Sequence, residues 1–220
     1  VRKGEILGVA GLDSSGRTEL LENIFGSATR KSGKIYKNGQ LVGNKTPRES
    51  IKNGFALVTE ERRATGILGI LDIRANTVIA SLKKYLNGPF LSDKKMADAT
   101  DSMIKAMRIK TPTQQTKINT LSGGNQQKVI FGRWILTQPD VLLLDEPTRG
   151  IDVGAKYEIY QLIQDLAKQG KAVVMVSSEM PELLGVCNRI VVMSGGRVAG
   201  EVDADNTTQE EIMTLAAKYA

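Results

Sequence analysis

Short apolar runs alternate along this chain with longer mixed segments. The runs Glu5–Gly11, Val141–Asp145 and Ala172–Ser177 are almost wholly apolar and end in turn-forming or polar residues, a pattern typical of buried strands. The segments Arg17–Phe25 and Gly154–Gln169 are predicted to be helices. Strands that alternate with helices favour an α/β domain with a mainly parallel sheet and helices on both faces.

The remaining segments continue this alternation. Asn38-Gly39 predicts the tight turn of a hairpin over Ser32–Gln40. The stretch Glu60–Gln115 is more polar and mostly helical, with Asn87-Gly88-Pro89 as a breaker between two helices. We predict further strands at Gly54–Thr59, Arg189–Met193 and Gly196–Val202, and further helices at Ser50–Asn53, Asp72–Lys83, Lys94–Met107, Gly123–Thr137, Pro181–Gly185 and Thr208–Lys218.

Composition narrows the class of protein. A chain of 220 residues suits one domain with a real core, and no apolar run approaches the roughly 20 residues of a membrane-spanning helix. The lone Cys187 excludes an internal disulfide and is predicted to be a small core or helix-edge residue. The net charge of +6 is spread along the chain and aromatic residues make up 5%, so no stacking platform for nucleic acid is evident.

A candidate phosphate loop lies between the first strand and the first helix. Gly11–Thr18 fits the P-loop pattern except that Arg17 stands where lysine is expected. Arginine is larger and planar, so we expect nucleotide to bind here with impaired hydrolysis. An ordinary Gly/Ser turn is the alternative. The loop's backbone N–H groups would cradle phosphate and the Thr18 hydroxyl would reach Mg²⁺, which makes the candidate binding residues Gly11, Ser14, Ser15, Gly16, Arg17, Thr18 and Glu19.

Two carboxylates end the strand Val141–Asp145. We assign Asp145 to Mg²⁺ and Glu146 to the role of general base, and strand alternation predicts that they point in opposite directions. In isolation, the pair would also fit a strand end that caps the next helix.

A second anion-binding turn precedes this strand. Ser122-Gly123-Gly124 opens a helix, where backbone N–H groups face an anion. Leu121–Lys128 and Val141–Pro147, in this order and at this spacing, resemble the signature and Walker B motifs of ABC-type ATPases. The resemblance implies a P-loop NTPase fold with a helical signature subdomain at about residues 62–138.

The same resemblance gives roles to further residues. It implies that Ser122, Gly123, Gly124 and Gln126 contact the ATP of a partner half, and that Asp152 lies in the D-loop facing that half. Glu60 occupies the Q-loop position, where the family usually has glutamine, and keeps an oxygen for Mg²⁺ or water. A solvated acidic turn is the alternative for Glu60. Ser178 falls where the family has its switch histidine, and this chain contains no histidine.

Four segments narrow the resemblance to the second of two fused domains in bacterial monosaccharide importers of the ribose and galactose/methyl-galactoside type. They are residues 16–19, 58–62, 121–128 and 145–156. This implies one ATP-binding domain over residues 1–220, excised from a longer polypeptide at the cytoplasmic side of the membrane. It also implies ATP and Mg²⁺ as ligands. The implied partners are the other nucleotide-binding half, a transmembrane permease and, indirectly, a sugar-binding protein, with no nucleic acid.

Three functions remain open at this point. In the leading one, this domain completes the productive ATP site of the upstream half, while its own site turns over slowly. In the second, it is a non-hydrolytic regulatory half that supplies Ser122. The third is a soluble ABC-type ATPase acting on nucleic acid, although Glu60–Gln115 is too short and irregular for the coiled coil of that class. Apolar residues after Glu60 (Ile67, Leu68, Ile70, Leu71 and Ile73) are mostly core, with one or two expected to receive a permease helix.

Overall fold

The computed structural model describes residues 1–219, which divide into two compact units. The first comprises Val1–Glu60, Pro139–Pro147 and residues 163–219, and the second comprises Glu61–Gln138 and Thr148–Leu162. Within residues 1–219, no helix combines the length and apolar character needed to cross a bilayer.

The strands, in chain order, are β1 (Ile6–Gly11), β2 (Ile35–Lys37), β3 (Gln40–Val42), β4 (Phe55–Val58), β5 (Leu86–Asn87), β6 (Phe90–Leu91), β7 (Val141–Asp145), β8 (Ala172–Val176), β9 (Arg189–Ser194) and β10 (Arg197–Asp203). The α-helices are α1 (Arg17–Phe25), α2 (Pro47–Lys52), α3 (Ile73–Val78), α4 (Asp93–Ala106), α5 (Gly123–Ile135), α6 (Val153–Lys168), α7 (Met180–Val186) and α8 (Gln209–Ala216).

The first unit is built on a sheet with the strand order β10-β9-β1-β8-β7-β4. Neighbouring strands run parallel except β10, which pairs antiparallel with β9. Leu7, Val174, Leu143 and Leu57 stand side by side across four strands. These unbroken apolar runs explain the arrangement, because a parallel sheet covered on both faces needs strands that are apolar throughout. The predicted mainly parallel α/β fold is confirmed.

Parallel strands bring their carboxyl ends to one edge of the sheet. The loop after β1, the Asp145–Glu146 pair at the end of β7 and Ser177–Ser178 after β8 therefore lie at the same edge. In open α/β sheets this is the edge where ligands bind.

The second unit contains α3, α4 and α5, with a core that includes Ile73, Ile118 and Phe131. One local prediction is wrong here. The helix predicted over Asp72–Lys83 is interrupted, because Ser81 has non-helical dihedrals and Ile79–Tyr85 forms 3₁₀ turns. The Asn87-Gly88-Pro89 breaker does separate two helical segments, as predicted, and it forms the turn of the small hairpin β5–β6, where Gly88 has a φ of 61°.

Candidate functional site

The phosphate loop of the first unit needs glycine where β1 ends. Gly11 has a φ of 154°, and a Cβ on it would lie 2.4 Å from Ser15 Oγ and 2.6 Å from the carbonyl oxygen of Met193. Gly16 is the N-cap of α1 with a φ of 90°. A side chain at Gly11 would collide with the loop, so the tight turn depends on this residue type.

The start of α1 offers donors to an anion. The first N–H groups of a helix have no partner within the helix, and Gly16 has no side chain that could cap them. Thr18 and Glu19 belong to this first turn, and Ser14 is exposed just before it. Ser15 N–H, which we predicted as part of the cradle, donates instead to the carbonyl oxygen of Leu12 at 2.9 Å. The donors for phosphate are therefore best sought in the first turn of α1.

Arg17 has an unexpected set of partners. Its guanidinium is buried and donates to the carbonyl oxygen of Ser177 at 3.1 Å, directly after β8. A second nitrogen lies 3.5 Å from the carboxylate of Asp13, which is itself fully exposed. In this arrangement, the Arg17 side chain bridges the phosphate loop and the switch position.

Asp145 and Thr18 form the candidate Mg²⁺ site. Asp145 is 2% exposed, and its Oδ1 atom is buried without a hydrogen-bond partner. Burial raises the pKa of Asp145, while a hydrogen bond from Thr18 and the charge of Arg17 oppose this rise. An unpaired carboxylate oxygen beside a hydroxyl matches the oxygen ligands that Mg²⁺ takes in nucleotide sites.

Glu146 follows β7 in a strained conformation. Its φ is 46°, so strand alternation does not determine its direction, and our prediction from alternation does not apply. Burial raises the pKa of Glu146, and the charge of Arg17 and a hydrogen bond from Ser178 oppose this rise. Ser178 Oγ donates to Glu146 Oε2 at 3.2 Å. The structure thus brings Glu146 into contact with Ser178. Asp145 and Glu146 both lie close enough to Arg17 for its charge to affect their pKa values.

The burial of Glu146 leads to a prediction about stability. A carboxyl group with a raised folded-state pKa stabilises the fold below its unfolded pKa and loses that contribution as pH rises through the folded pKa. Glu146→Gln removes the ionisation, so we expect the variant to melt a few degrees above the unchanged protein at pH 7, with the gain shrinking towards pH 4. Thermal unfolding across this pH range measures it, with the exposed Asp98→Asn as control. A gain that grows towards pH 4 would contradict the sign.

The signature turn lies in the second unit. Ser122 is the N-cap of α5, and its hydroxyl accepts hydrogen bonds from Asn125 N–H at 3.5 Å and from Asn125 Nδ2 at 2.9 Å. Gly124 is buried, and a Cβ on it would lie 2.5 Å from Ala155 Cβ. Gln126 is 2% exposed and donates to the carbonyl oxygens of Ile118 and Leu121. These contacts fix the turn that presents the first N–H groups of α5.

The predicted D-loop adjoins this turn. A Cβ on Gly123 would lie 3.1 Å from the carbonyl oxygen of Gly150, two residues before Asp152. Asp152 Oδ1 accepts from Ala155 N–H at 2.9 Å, in the first turn of α6. The second unit therefore brings Ser122, Gly123, Gly124 and Gln126 together with the Gly150–Asp152 segment. Glu60 is the last residue of the first unit before the boundary and is half-buried.

Our sequence interpretation missed two arginines. Arg62 contacts the signature turn and the D-loop, although it was noted in the sequence only as the last residue of the segment 58–62. Arg133 is buried in α5 and donates to Gly66 and Asn76. The sequence alone does not show that an arginine in a predicted helix will be buried or which carbonyl oxygens it will contact. Cys187 is buried as predicted, and burial raises the pKa of its thiol to about 12.

The fold is that of known ATP-binding cassettes. The chain superimposes on the cassette MJ1267 with a TM-score of 0.82 at 19% identity, covering 99% of this chain and 89% of that one. It superimposes on the dimeric cassette MJ0796 bound to ADP and Pi with a TM-score of 0.79 at 22% identity, covering 94% and 88%. At these identities the likeness shows the fold.

Sequence relatives are much closer. The chain is 62% identical over 218 residues to the galactose/methyl galactoside import ATP-binding protein MglA of Fusobacterium nucleatum, covering 99% of this chain and 44% of that protein. It is 59% identical over 220 residues to MglA of Mannheimia succiniciproducens, covering 100% and 44%. The chain thus spans less than half the length of these curated relatives. The family model "ABC transporter" matches residues 1–149, and the chain belongs to this family.

Proposed function

We propose that this chain is a nucleotide-binding domain of the ATPase subunit of a bacterial ABC importer for galactose or methyl galactoside. The observation that carries the nucleotide site is the buried, unpaired Oδ1 of Asp145 beside Thr18, next to the first turn of α1. The sugar class comes from the MglA relatives, which are named as import ATP-binding proteins for these sugars.

Different residues of the first unit bind the phosphate groups, hold Mg²⁺ and accept a proton. The N–H groups of the first turn of α1 bind phosphate oxygens, and Thr18 and Asp145 hold Mg²⁺, with Glu60 as a further candidate oxygen. When bound, Mg²⁺ supplies positive charge against the phosphate oxygens. Glu146 is the group that takes a proton from water. Its raised pKa, caused by burial, moves it towards the range in which a carboxylate works as a base.

The phosphate loop and switch position of this domain depart from the family pattern, whereas its signature turn does not. This difference suggests an asymmetric pair of ATP sites. Arg17 is held by Ser177 and Asp13, and Ser178 cannot carry the positive charge of a histidine. The signature turn, by contrast, is complete. We infer that Ser122, Gly123 and Gly124 complete a productive site with the phosphate loop of another half. The site around Arg17 holds ATP and turns over slowly.

The arrangement around Arg17 also favours a second candidate, a regulatory half that binds nucleotide without hydrolysing it. The guanidinium already has a backbone acceptor at the switch position. A phosphate group must compete with that contact for the same charge. In this candidate the domain contributes only its signature turn to hydrolysis.

The partners follow from the proposed assembly. The relatives are more than twice the length of this chain, and we propose that a second nucleotide-binding half lies upstream in the same polypeptide, which makes this the C-terminal one. A transmembrane permease, fed by a sugar-binding protein, would hold the pair at the cytoplasmic side of the membrane. Leu68 and Ile70, which are 40% and 84% exposed, are candidates for the permease contact.

Nucleotide binding and phosphate release by the purified 220-residue chain test this proposal, once cooperative unfolding has been verified. We expect saturable binding of ATP with Mg²⁺, weakened by Thr18→Val, and phosphate release far below that of the full-length protein with its permease. Binding with no release above the buffer rate would favour the regulatory candidate. Turnover equal to that of the full assembly would refute the asymmetric arrangement, and absence of ATP binding would refute the nucleotide site.

A further inference from the structure

Arg62 connects two functional segments of the second unit. It begins the π-helical turn Arg62–Gly66 and is half-buried. Its Nε donates to Gln126 Oε1 at 3.2 Å, in the first turn of α5. Its two terminal nitrogens donate to the carbonyl oxygens of Arg149 at 3.1 Å and Gly150 at 3.5 Å. One planar side chain thereby joins the start of α5 to the segment that precedes Asp152.

The residue that Arg62 contacts on α5 is itself fully engaged. Gln126 uses its amide nitrogen to donate to the carbonyl oxygens of Ile118 and Leu121, at 3.2 and 3.1 Å. These two carbonyls belong to the chain that leads into Ser122. Arg62 therefore supports the signature turn indirectly. The amide of Gln126 accepts from Arg62 through its oxygen and donates to the two carbonyls through its nitrogen.

Arg62 also lies directly against the signature turn. A Cβ on Gly123 would be 2.9 Å from Arg62 Nη2 and 3.1 Å from the carbonyl oxygen of Gly150. A Cβ at Gly123 would therefore displace the guanidinium and crowd the backbone of the D-loop. The guanidinium fills the gap between the two segments and leaves little freedom for either to move separately.

We propose that Arg62 is a positioning residue that fixes the signature turn and the Arg149–Asp152 segment as one rigid surface for the ATP of the other half. Arg62 acts through Gln126, Gly123 and the backbone of Arg149 and Gly150. This inference rests on the proposed function, because it concerns the site that the signature turn completes. Geometry requires arginine here: three donors of one planar fork reach acceptors on two segments, whereas lysine has a single ammonium.

Variants of the full-length protein, assembled with its permease, separate this role from charge and from stability. We expect Arg62→Lys and Arg62→Ala to lower kcat for ATP hydrolysis about tenfold or more, with KM within about twofold. The neighbouring Arg63 is exposed, so Arg63→Ala is the matched control and should keep kcat unchanged. Rates are normalised to the amount of ATP bound, which removes any loss through unfolding.

A second readout does not depend on activity. Hydrogen exchange at the amides of Asn125 and Gln126, which donate to Ser122, should become faster in Arg62→Ala and Arg62→Lys, and remain unchanged in Arg63→Ala. Normal kcat in Arg62→Lys with a loss in Arg62→Ala would show that charge suffices and would overturn the positioning role. Unchanged exchange in both Arg62 variants would overturn it as well.

The outcome for Ser122→Arg separates this inference from the proposed function. If that variant keeps full hydrolysis, the signature turn does not complete a productive site, and the proposed function is at fault. If Ser122→Arg abolishes hydrolysis while both Arg62 variants retain it, the inference about Arg62 alone is refuted.

Discussion

Replacing Ser122 with arginine in the full-length protein is expected to lower transport-coupled ATP hydrolysis by a factor of about 100 or more. Loss of a single preorganised donor at a site of developing charge costs that much in other enzymes. The new side chain would occupy the space in front of the first N–H groups of α5. Phosphate release by the protein in membranes with its permease measures the effect.

The design needs a control for helix capping. Ser122 caps α5 through Asn125, and loss of an N-cap alone costs about 1 kcal/mol of stability. Ser92 caps α4 in the same way, accepting from Lys95 N–H at 3.3 Å. Ser92→Arg therefore removes an equivalent cap with the same change of residue, away from the signature turn. It should lower stability by a similar amount and leave hydrolysis intact.

A comparison with Glu146→Gln tests the asymmetry. If the site around Arg17 contributes little turnover, loss of its general base should reduce hydrolysis far less than Ser122→Arg does. Glu146 is buried beside Ser178, so under the proposed asymmetry the small effect expected reflects the rest of its site. A larger loss in Glu146→Gln than in Ser122→Arg would show that this domain's own site is the productive one.

The pattern of apolar and polar residues was enough to predict the strands of the main sheet and the helices packed on it. Helix α1 begins at Arg17 and ends at Phe25 as predicted, because Gly16 and Gly26, both with positive φ, stand directly before and after it. The location of Asp145 at a strand end was also predicted from the apolar run that precedes it, whereas Ser178 was identified only by the family resemblance. The break at Ser81 was not predictable, since Asp72–Lys83 has the composition of one continuous helix. A local change in dihedral angles there is a consequence of tertiary packing.

Side-chain direction in the candidate site was less predictable. Arg17 stands where the P-loop pattern has lysine, which suggested a weakened phosphate contact. The sequence could not show that its guanidinium would reach the Ser177 carbonyl. These residues are 160 positions apart, and no local pattern links them. The left-handed conformation of Glu146 is likewise set by the turn after β7. The sequence identifies the members of each motif, whereas their hydrogen-bond partners depend on the folded backbone.

Replacing Arg133 is expected to have the largest effect on stability. The guanidinium is buried and donates to the carbonyl oxygens of Asn76 at 2.6 Å and Gly66 at 2.7 Å, and to Asn76 Oδ1 at 3.0 Å. Burial lowers the pKa of Arg133 to about 10, and the charge is stabilised by these neutral oxygens. Asn76 in turn accepts from Leu68 N–H and donates to the Leu68 carbonyl oxygen. The network thus holds the segment that presents Leu68 and Ile70.

Arg133→Met keeps most of the side-chain volume but removes the guanidinium that donates to the buried carbonyl oxygens of Asn76 and Gly66, while Asn76 Oδ1 keeps the Leu68 N–H. Each unsatisfied buried group costs about 1–3 kcal/mol, so we expect a loss of about 3 kcal/mol or more in the free energy of unfolding. Chemical denaturation measures the loss, and Arg63→Met is the exposed control. Hydrogen exchange at Leu68 should accelerate before global unfolding, because its amide is held by Asn76. An Arg133→Met protein of unchanged stability would show that water replaces the guanidinium and that the network does not order the Leu68–Ile70 segment.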